Sequence, residues 1–599
     1  MAQRRNNGHR RPDKRPQKKE GLYTAAMIRA EFGLSGSVID RYFPEPILRR
    51  NPHGTGREPL RLWTRSMIDR ALQHPKVAEA VERNGNRSPA RSAQQERIRE
   101  FLSGFDAESM RRHAMTLDRR FVLHIGPTNS GKTYQAMQAL KAAESGVYLG
   151  PLRLLALEMY DSMNRDGVLC DLLTGEEAIL REGSAHTAST IELADLGRDY
   201  RVAVIDEAQM VTDPFRGDKW LRAIYGIRAE EVHICLAPEA RELILGLLDG
   251  IGAPCEVVEH RRLAPLVFSG LFRSAADAQP GDALIVFSRR AVLALSAELE
   301  QRGMPASVIY GALPPVSRRE EVRRFTEGET KVVVATDAIG MGVSLPIRRI
   351  IFCETGKFDG RMRRPLTSGE IKQVAGRAGR YGIFDLGEVL TMADTQRVRS
   401  ALVCEEEQKG KLIIPFPEEA LASDYPMNKL MIEWNRLPKN DAFSRADMTD
   451  ALLLYTYLAP YAGKTDRKLI YRLITCPVDV KEEGMILYWL DCCRCILKHR
   501  PLPEPPSGSG TLEECEARYR ELDIRHQLLR QIGTEEDRMA EKLALCETIN
   551  RFLKEHKDEY LRHCRQCGRI LPATHPYGLC KKCFEMQNGR YVYRPGRRG

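Results

Sequence analysis

Eight consecutive residues, GPTNSGKT from Gly126 to Thr133, have the make-up of a loop that cradles phosphate oxygens. Gly126 and Gly131 let the chain turn its backbone N–H groups toward an anion, and Pro127, Thr128, Asn129 and Ser130 complete the turn. Lys132 would neutralise the β- and γ-phosphates of a nucleoside triphosphate, and the Thr133 hydroxyl would ligate Mg2+. The apolar run FVLHI before the loop and the helical pattern YQAMQALKAA after it supply the strand-to-helix setting the motif requires. A second run, VAVIDEAQM, delivers two adjacent carboxylates at the end of an apolar strand. There Asp206 could hold the magnesium, while Glu207 could orient or deprotonate the attacking water. A third, QVAGRAGR, sets Arg377 and Arg380 on one helical face, with Gln373 a turn earlier. Two arginines so placed can reach a γ-phosphate together. Gly376 and Gly379 speak against an ordinary basic surface helix, because each would cost such a helix ~1 kcal/mol relative to alanine.

Metal chemistry is indicated in a separate place. Cys564, Cys567, Cys580 and Cys583 follow a C-x2-C-x12-C-x2-C spacing, close to that of a zinc ribbon. Four thiolates would close the coordination sphere, so a zinc ion held there would be structural; His563 and His575 are spare candidates. The basic, aromatic stretch that follows, with Lys581, Lys582, Arg590, Tyr591, Tyr593 and Arg594, reads either as a strand clamp or as a solvated tail. Cys492, Cys493 and Cys495 have no partner pair nearby and read as helix packing.

These groups need a scaffold. From 119 to about 390, short β-branched runs (FVLHIG, VAVID, VHICLA, ALIVFS, KVVVATD, RRIIFCE) alternate with helical stretches, the pattern of βαβ units and parallel sheets. The span is too long for one unit, and EHRRLAPLVFSG marks a break near residue 265. The expected class is α/β, with one half at 119–265 and a second at 266–400. A site divided between two halves couples hydrolysis to their relative movement.

Around that centre the sequence divides into smaller pieces. Residues 1–20 read as a disordered basic arm, 21–90 as a small helical module, and 91–118 as linker or helix. Ile28, Phe32, Leu34, Ile39 and Tyr42 would form the core of two short helices around Gly33, with helix-turn-helix spacing. Such a pair either touches nucleic acid or only docks. The polar run ERNGNRSPARSAQQ reads as a linker. Residues 401–500 read as a helical accessory region and 501–510, PLPEPPSGSG, as a linker. A helical hairpin is expected at 511–560, and a zinc module with a basic tail at 561–599. In the hairpin, Thr511 with Glu514 and Thr534 with Asp537 would start the two helices. Leu512, Cys515, Tyr519, Leu522 and Leu529 would share one face of its first arm.

Composition narrows the partners. The chain has 599 residues, 43% hydrophobic and 29% charged, the balance of a globular protein rather than a fibrous or disordered one. Its net charge of +11 suits a polyanionic partner. No run of ~18 apolar residues could span a bilayer, so no membrane role is expected. The N-terminus lacks an apolar signal region and reads poorly as a presequence. With fifteen cysteines spread outside any disulfide-like framework, a reducing cytoplasmic setting, bacterial or otherwise, is expected. No oligomeric state follows from the sequence.

The order GPTNSGKT, PLRLLALE, TGEE, DEAQ, IVFSRR, VVVATDAIGMG, QVAGRAGR resembles that of superfamily-two DExH helicases. More narrowly, LHIGPTNSGKTY, VIDEAQMVTDPFRG, VIYGALPP, ATDAIGMGVSLPIRRIIF and AGRAGR resemble the mitochondrial-degradosome (suppressor-of-Var) RNA helicases and their bacterial relatives. The likeness runs over about residues 115–500, ending with LITCPVDVKEEGMILYWLDCCR. It implies two tandem RecA-like domains, ATP as the nucleotide, and 3′-to-5′ movement along one RNA strand. By position it also implies backbone contacts from Arg153, Thr174, Ser288 and Thr336, with Asp337 and Gly340 linking the strand and ATP sites. RNA is the expected partner; a DNA helicase and a non-hydrolysing RNA-binding scaffold are the alternatives. The family suggests an exoribonuclease as a decay partner. The basic arm, the helix pair and the cysteine module lie outside the likeness, so that partnership does not transfer with them.

Overall fold

A computed structural model describes the chain except residues 1–20, 52–57, 86–88, 176, 341–344, 359–362, 381, 405–409, 439–441, 535, 574, 576 and 593–599. The basic arm and the end of the tail, including Tyr593 and Arg594, thus lie outside the described residues.

The β-branched runs form strands, and their burial on both faces explains why they read as continuous apolar segments rather than alternating ones. The first half is an eight-stranded sheet whose centre is parallel. Arg120–Ile125 lies between Arg228–Leu236 and Cys255–Glu259, and Asp199–Ile205 pairs with Arg228–Leu236 on the far side. The phosphate loop therefore leaves a central strand, and the acidic pair leaves a strand two places away. The second half is a six-stranded parallel sheet in which Asp282–Ile285 runs between Val332–Ala335 and Arg349–Phe352.

The flanking pieces are less separate than the sequence suggested. The two short helices, Ala25–Phe32 and Gly36–Tyr42, form around Gly33 in the left-handed conformation, each capped at its N-terminus by Thr24 or Ser35. Ile28 and Ile39 pack into the same core as Trp434, Leu453 and Trp489 of the helical region, so the module and the accessory region form one body. The stretch expected as a linker is helical up to Gly85 and again from Pro89 to Ser103, where it packs on that body through Ile98 and Leu102.

Proline and glycine in 501–510 do exclude regular structure, but the segment is pinned. Pro503 O accepts from Arg525 Nη1 at 2.6 Å, and Ser507 Oγ donates to Glu521 at 2.6 Å. The hairpin's first helix, Leu512–Gln531, starts at the expected Thr511–Glu514 capping box, and its five expected face residues are buried. Leu512, Cys515, Tyr519 and Leu522 join the core of the second sheet domain beside Leu293 and Tyr310. The second helix begins at Met539 rather than after Thr534; Asp537, just before the N-cap Arg538, accepts from Met539 N at 3.0 Å. Basic residues 581–592, read as tail, form a helix. Among the described residues no helix is long and apolar enough to cross a membrane.

Candidate nucleotide site and strand face

The loop after Arg120–Ile125 reaches the helix Lys132–Ala142 through two left-handed residues, Asn129 at φ 62° and Gly131 at φ 80°. A non-glycine residue in that region is uncommon and marks a backbone held for a purpose. Gly126 is required by crowding, because a Cβ there would lie 2.6 Å from Ser130 Oγ and 2.8 Å from His260. Among the described residues, the buried Ser130 hydroxyl has no hydrogen-bond partner. Both features fit a phosphate seated in the loop: room for close backbone approach, and an unused donor. Lys132 is buried beside the loop, its Nζ 3.4 Å from Pro127 O.

Asp206 sits at the end of its strand in a nearly complete cage. Thr133 Oγ1 donates to Oδ1 at 3.2 Å, Tyr148 OH donates to Oδ2 at 3.0 Å, and Trp220 Nε1 donates to its backbone carbonyl at 3.0 Å. Burial, and then the neighbouring Glu207 charge, push the Asp206 carboxyl upward; Lys132 opposes them. An oxygen pair of this kind, dry and with a hydroxyl beside it, suits a hard divalent cation. Glu207 is also left-handed, at φ 51°, which turns its side chain back into the cleft. There Gln209 Nε2 donates to the Glu207 carboxylate, while Gln209 Oε1 accepts from Ala237 N at 3.1 Å.

The second domain supplies the opposite wall. Ser368–Ala375 begins with a Thr367–Glu370 capping box and ends at Gly376, so Gln373 lies on the helix and Arg377 and Arg380 just beyond it. The expected single helical face is replaced by a turn, with Gly379 at φ 70°. Arg377 still points into the cleft. Its Nη2 donates to Gly340 O at 2.7 Å, burial pulls its guanidinium below the usual value, and Glu207, Glu158 and Asp206 of the first domain oppose that shift. Burial raises the Glu158 carboxyl, against the charges of Arg380 first and then Arg377. Gly340 packs beside Gln373 and Val374, where a Cβ would lie 3.4 Å from each, in ordinary contact. Asp337 pairs instead with Lys357, at 2.7 Å.

Several participants carried no sequence signal that the motifs alone would reveal: Tyr148, Glu158, Trp220, Arg262 and a row of histidines. His124 Nδ1 lies 3.1 Å from His260 Nε2, and His124 Nε2 lies 2.8 Å from His233 Nδ1. Burial, then His233 and His260, hold His124 down at about 4. Alternation along Arg120–Ile125 and Arg228–Leu236 places His124 and His233 on one sheet face, a pairing readable only once the register is known.

The four residues expected on the strand face are arranged differently. Arg153 is paired with Asp523 of the hairpin at 3.4 Å, and the buried Thr174 gives its carbonyl to Arg530 Nη1 at 2.7 Å. Ser288 caps Arg289–Gln301 by accepting from Ala291 N at 3.1 Å, and Arg289 pairs with Glu513 at 2.9 Å. Thr336 is buried and accepts from Ala338 N at 3.2 Å. The helix Leu512–Gln531 therefore touches both sheet domains next to these positions.

The four cysteines converge. Their sulfurs lie within 4.8 Å of one another, and Cys567 and Cys580 are 3.7 Å apart. Tetrahedral zinc with Zn–S bonds of ~2.3 Å needs sulfurs about 3.8 Å apart, so the donor set fits that ion. The module is anchored to the second domain by Ala573 N, which donates to Glu298 Oε2 at 2.9 Å.

A phosphate loop and acidic pair on one parallel-sheet domain, faced by arginines from a second, define a tandem RecA-like helicase architecture. Residues 108–260 match the model of the DEXQ-box helicase domain of Suv3, and 267–382 match the helicase conserved C-terminal domain. It is 43% identical over 295 residues to the human mitochondrial ATP-dependent RNA helicase SUPV3L1, covering 47% of this chain and 37% of that protein. It is 46% identical over 276 residues to the mitochondrial DExH-box ATP-dependent RNA helicase DExH16 of Arabidopsis thaliana, covering 45% of this chain and 48% of that protein. The matched region thus spans less than half of either relative. Among solved structures, S. cerevisiae Dbp5 bound to RNA and ADP BeF3 aligns at 15% identity and a TM-score of 0.38, covering 50% of this chain and 88% of that one. The cytoplasmic setting expected above is overturned by these relatives, which are named mitochondrial. Cysteine usage distinguishes reducing from oxidising surroundings and is blind to that difference.

Proposed function

We propose that the protein is an ATP- and Mg2+-dependent RNA helicase that moves 3′ to 5′ along one strand and displaces the other. The observation that carries this reading is the cleft in which Lys132, Asp206 and Glu207 of one domain face Arg377 and Arg380 of the other. In it, Lys132 and the N–H groups of residues 126–133 hold the β- and γ-phosphates, and Thr133 and Asp206 hold the cation. Bound magnesium would neutralise charge on the phosphate oxygens. Glu207 orients the water and accepts its proton, while Arg377 and Arg380 stabilise the charge developing on the transferred phosphoryl group. Because the arginines belong to the second domain, hydrolysis requires closure, and product release permits opening. Gln373, Asp337 and Gly340 join this wall to the strand face.

RNA is supported by the relatives' names and by the chain's positive charge. Arg153, Thr174, Ser288 and Thr336 would grip sugar and phosphate without reading bases. The cysteine cluster is a structural zinc site in this reading, consistent with the sulfur spacing. Metal analysis of freshly purified, reduced protein should find one zinc per chain; a metal-free folded module would refute the assignment. For the activity itself, strand displacement is compared on RNA and DNA duplexes with 3′ or 5′ single-stranded tails. ATP-dependent unwinding of 3′-tailed RNA is expected. Unwinding of DNA alone would refute the RNA reading, and stimulated ATPase with no unwinding would replace helicase action by translocation or remodelling.

A further inference from the structure

Arg262 lies in the short connection between Glu259, the last strand residue of the first domain, and Leu266, the first of the second. Its guanidinium is half-buried, and among the described residues it has no carboxylate partner. It donates instead to four backbone carbonyls from three segments. Nε bonds Ala264 O at 2.7 Å within the connection, and Nη1 bonds Thr128 O of the phosphate loop at 2.9 Å. Nη1 also bonds Gly376 O at 2.9 Å, and Nη2 bonds Ala378 O. The last two carbonyls flank Arg377. Asn129 Nδ2 reaches the same pair, at 3.0 Å and 3.5 Å, from the left-handed tip of the loop.

A planar fork is suited to this task, because it fixes several acceptors in one plane where an ammonium group would hold them only loosely. The backbone on both sides of Arg377 is thereby tied to the phosphate loop, while the Arg377 guanidinium, held on Gly340 O at 2.7 Å, faces the charges of Glu207 and Asp206. The contact is tight: a Cβ on Gly376 would lie 2.8 Å from Thr128 Cβ.

We propose that Arg262 is a positioning residue for nucleotide hydrolysis, clamping the Gly376 and Ala378 carbonyls to the phosphate loop so that Arg377 is set against the γ-phosphate. The inference rests on the nucleotide-site reading above. It assigns Arg262 to the closed, reacting geometry rather than to the initial capture of nucleotide. Its charge, uncompensated among the described residues, is matched when the triphosphate occupies the neighbouring loop.

The test is steady-state ATP hydrolysis by the full chain carrying Arg262→Ala or Arg262→Lys, beside Glu207→Gln, with thermal unfolding recorded for each. A fall in kcat of ~10–100-fold with KM for ATP changed less than ~3-fold is expected for both Arg262 variants. Guanidinium ion at millimolar concentration should restore part of the Arg262→Ala rate and none of the Glu207→Gln rate. Wild-type kcat in a folded Arg262→Ala protein would overturn the proposal, as would a rise in KM at unchanged kcat. Full activity in Arg262→Lys would overturn the requirement for a fork. If Glu207→Gln is also fully active, the nucleotide-site reading itself has failed; if only the Arg262 variants are active, the failure belongs to this inference alone.

Discussion

The proposed nucleotide cleft and the proposed strand face are held together in different ways. In the cleft, Asp206 and Glu207 follow the end of a parallel strand and are oriented from within the same domain: Gln209 holds Glu207, and Thr133 and Tyr148 hold Asp206. On the strand face, Arg153 and Thr174 are engaged by Asp523 and Arg530, which lie 370 and 356 residues away in sequence. One region is assembled by motifs, the other by a distant helix that bears carboxylates where a phosphate backbone would otherwise be met. Chemistry of the first kind survives in a sequence as spacing. Chemistry of the second kind appears only when the chain has folded.

The largest effect is expected from breaking the cleft. Lys132→Ala and Glu207→Gln should each lower ATP turnover by on the order of 10²–10³-fold while leaving RNA affinity within a few-fold, measured by ATPase and filter binding. Unchanged turnover would remove the site. A smaller effect, ~10-fold in kcat, is expected for Gly376→Ala, whose methyl group would press on Thr128 and hold the domains apart. Activity equal to wild type would mean that the loop and Gly376 need not approach so closely during hydrolysis.

On the strand face the expected sign is reversed. Asp523→Asn removes a carboxylate from Arg153 and should tighten RNA binding by about 5-fold, roughly 1 kcal/mol. Weaker binding would instead make the hairpin part of the grip and erase the contrast between the two regions. The smallest effect concerns pH. His124 is held well below its usual value, so the unfolded chain binds more protons than the folded one between about 6.5 and 4. Stability from this group is complete above the unfolded value and declines as pH falls through that window. His124→Gln should reduce the slope of melting temperature against pH there; an identical slope would show that the histidine row does not titrate as described.

The legibility of the fold follows the same division. The strands and the Thr511 cap were readable because their signals are local: apolar runs and capping spacing. The union of residues 21–110 with the helical accessory region was not, since Ile28 and Trp489 carry no mark of being neighbours. Composition misread 501–510, where proline removed regular structure but side chains such as Arg525 and Glu521 immobilised the strand of chain. The second hairpin helix starts later than the Thr534–Asp537 pair implied, because Asp537 and the N-cap Arg538 lie before its first turn. Arg262 and Glu158 escaped notice because their partners are carbonyls and charges on the opposite domain.

The central claim is that one reaction centre is shared by two domains, and Arg377→Ala tests it most directly. Single-turnover hydrolysis of ATP is measured with saturating RNA, alongside nucleotide affinity. The account predicts that the variant binds nucleotide within a few-fold of wild type yet hydrolyses it ~10³-fold more slowly. Hydrolysis at the wild-type rate would contradict it, because the first domain would then be catalytically complete on its own.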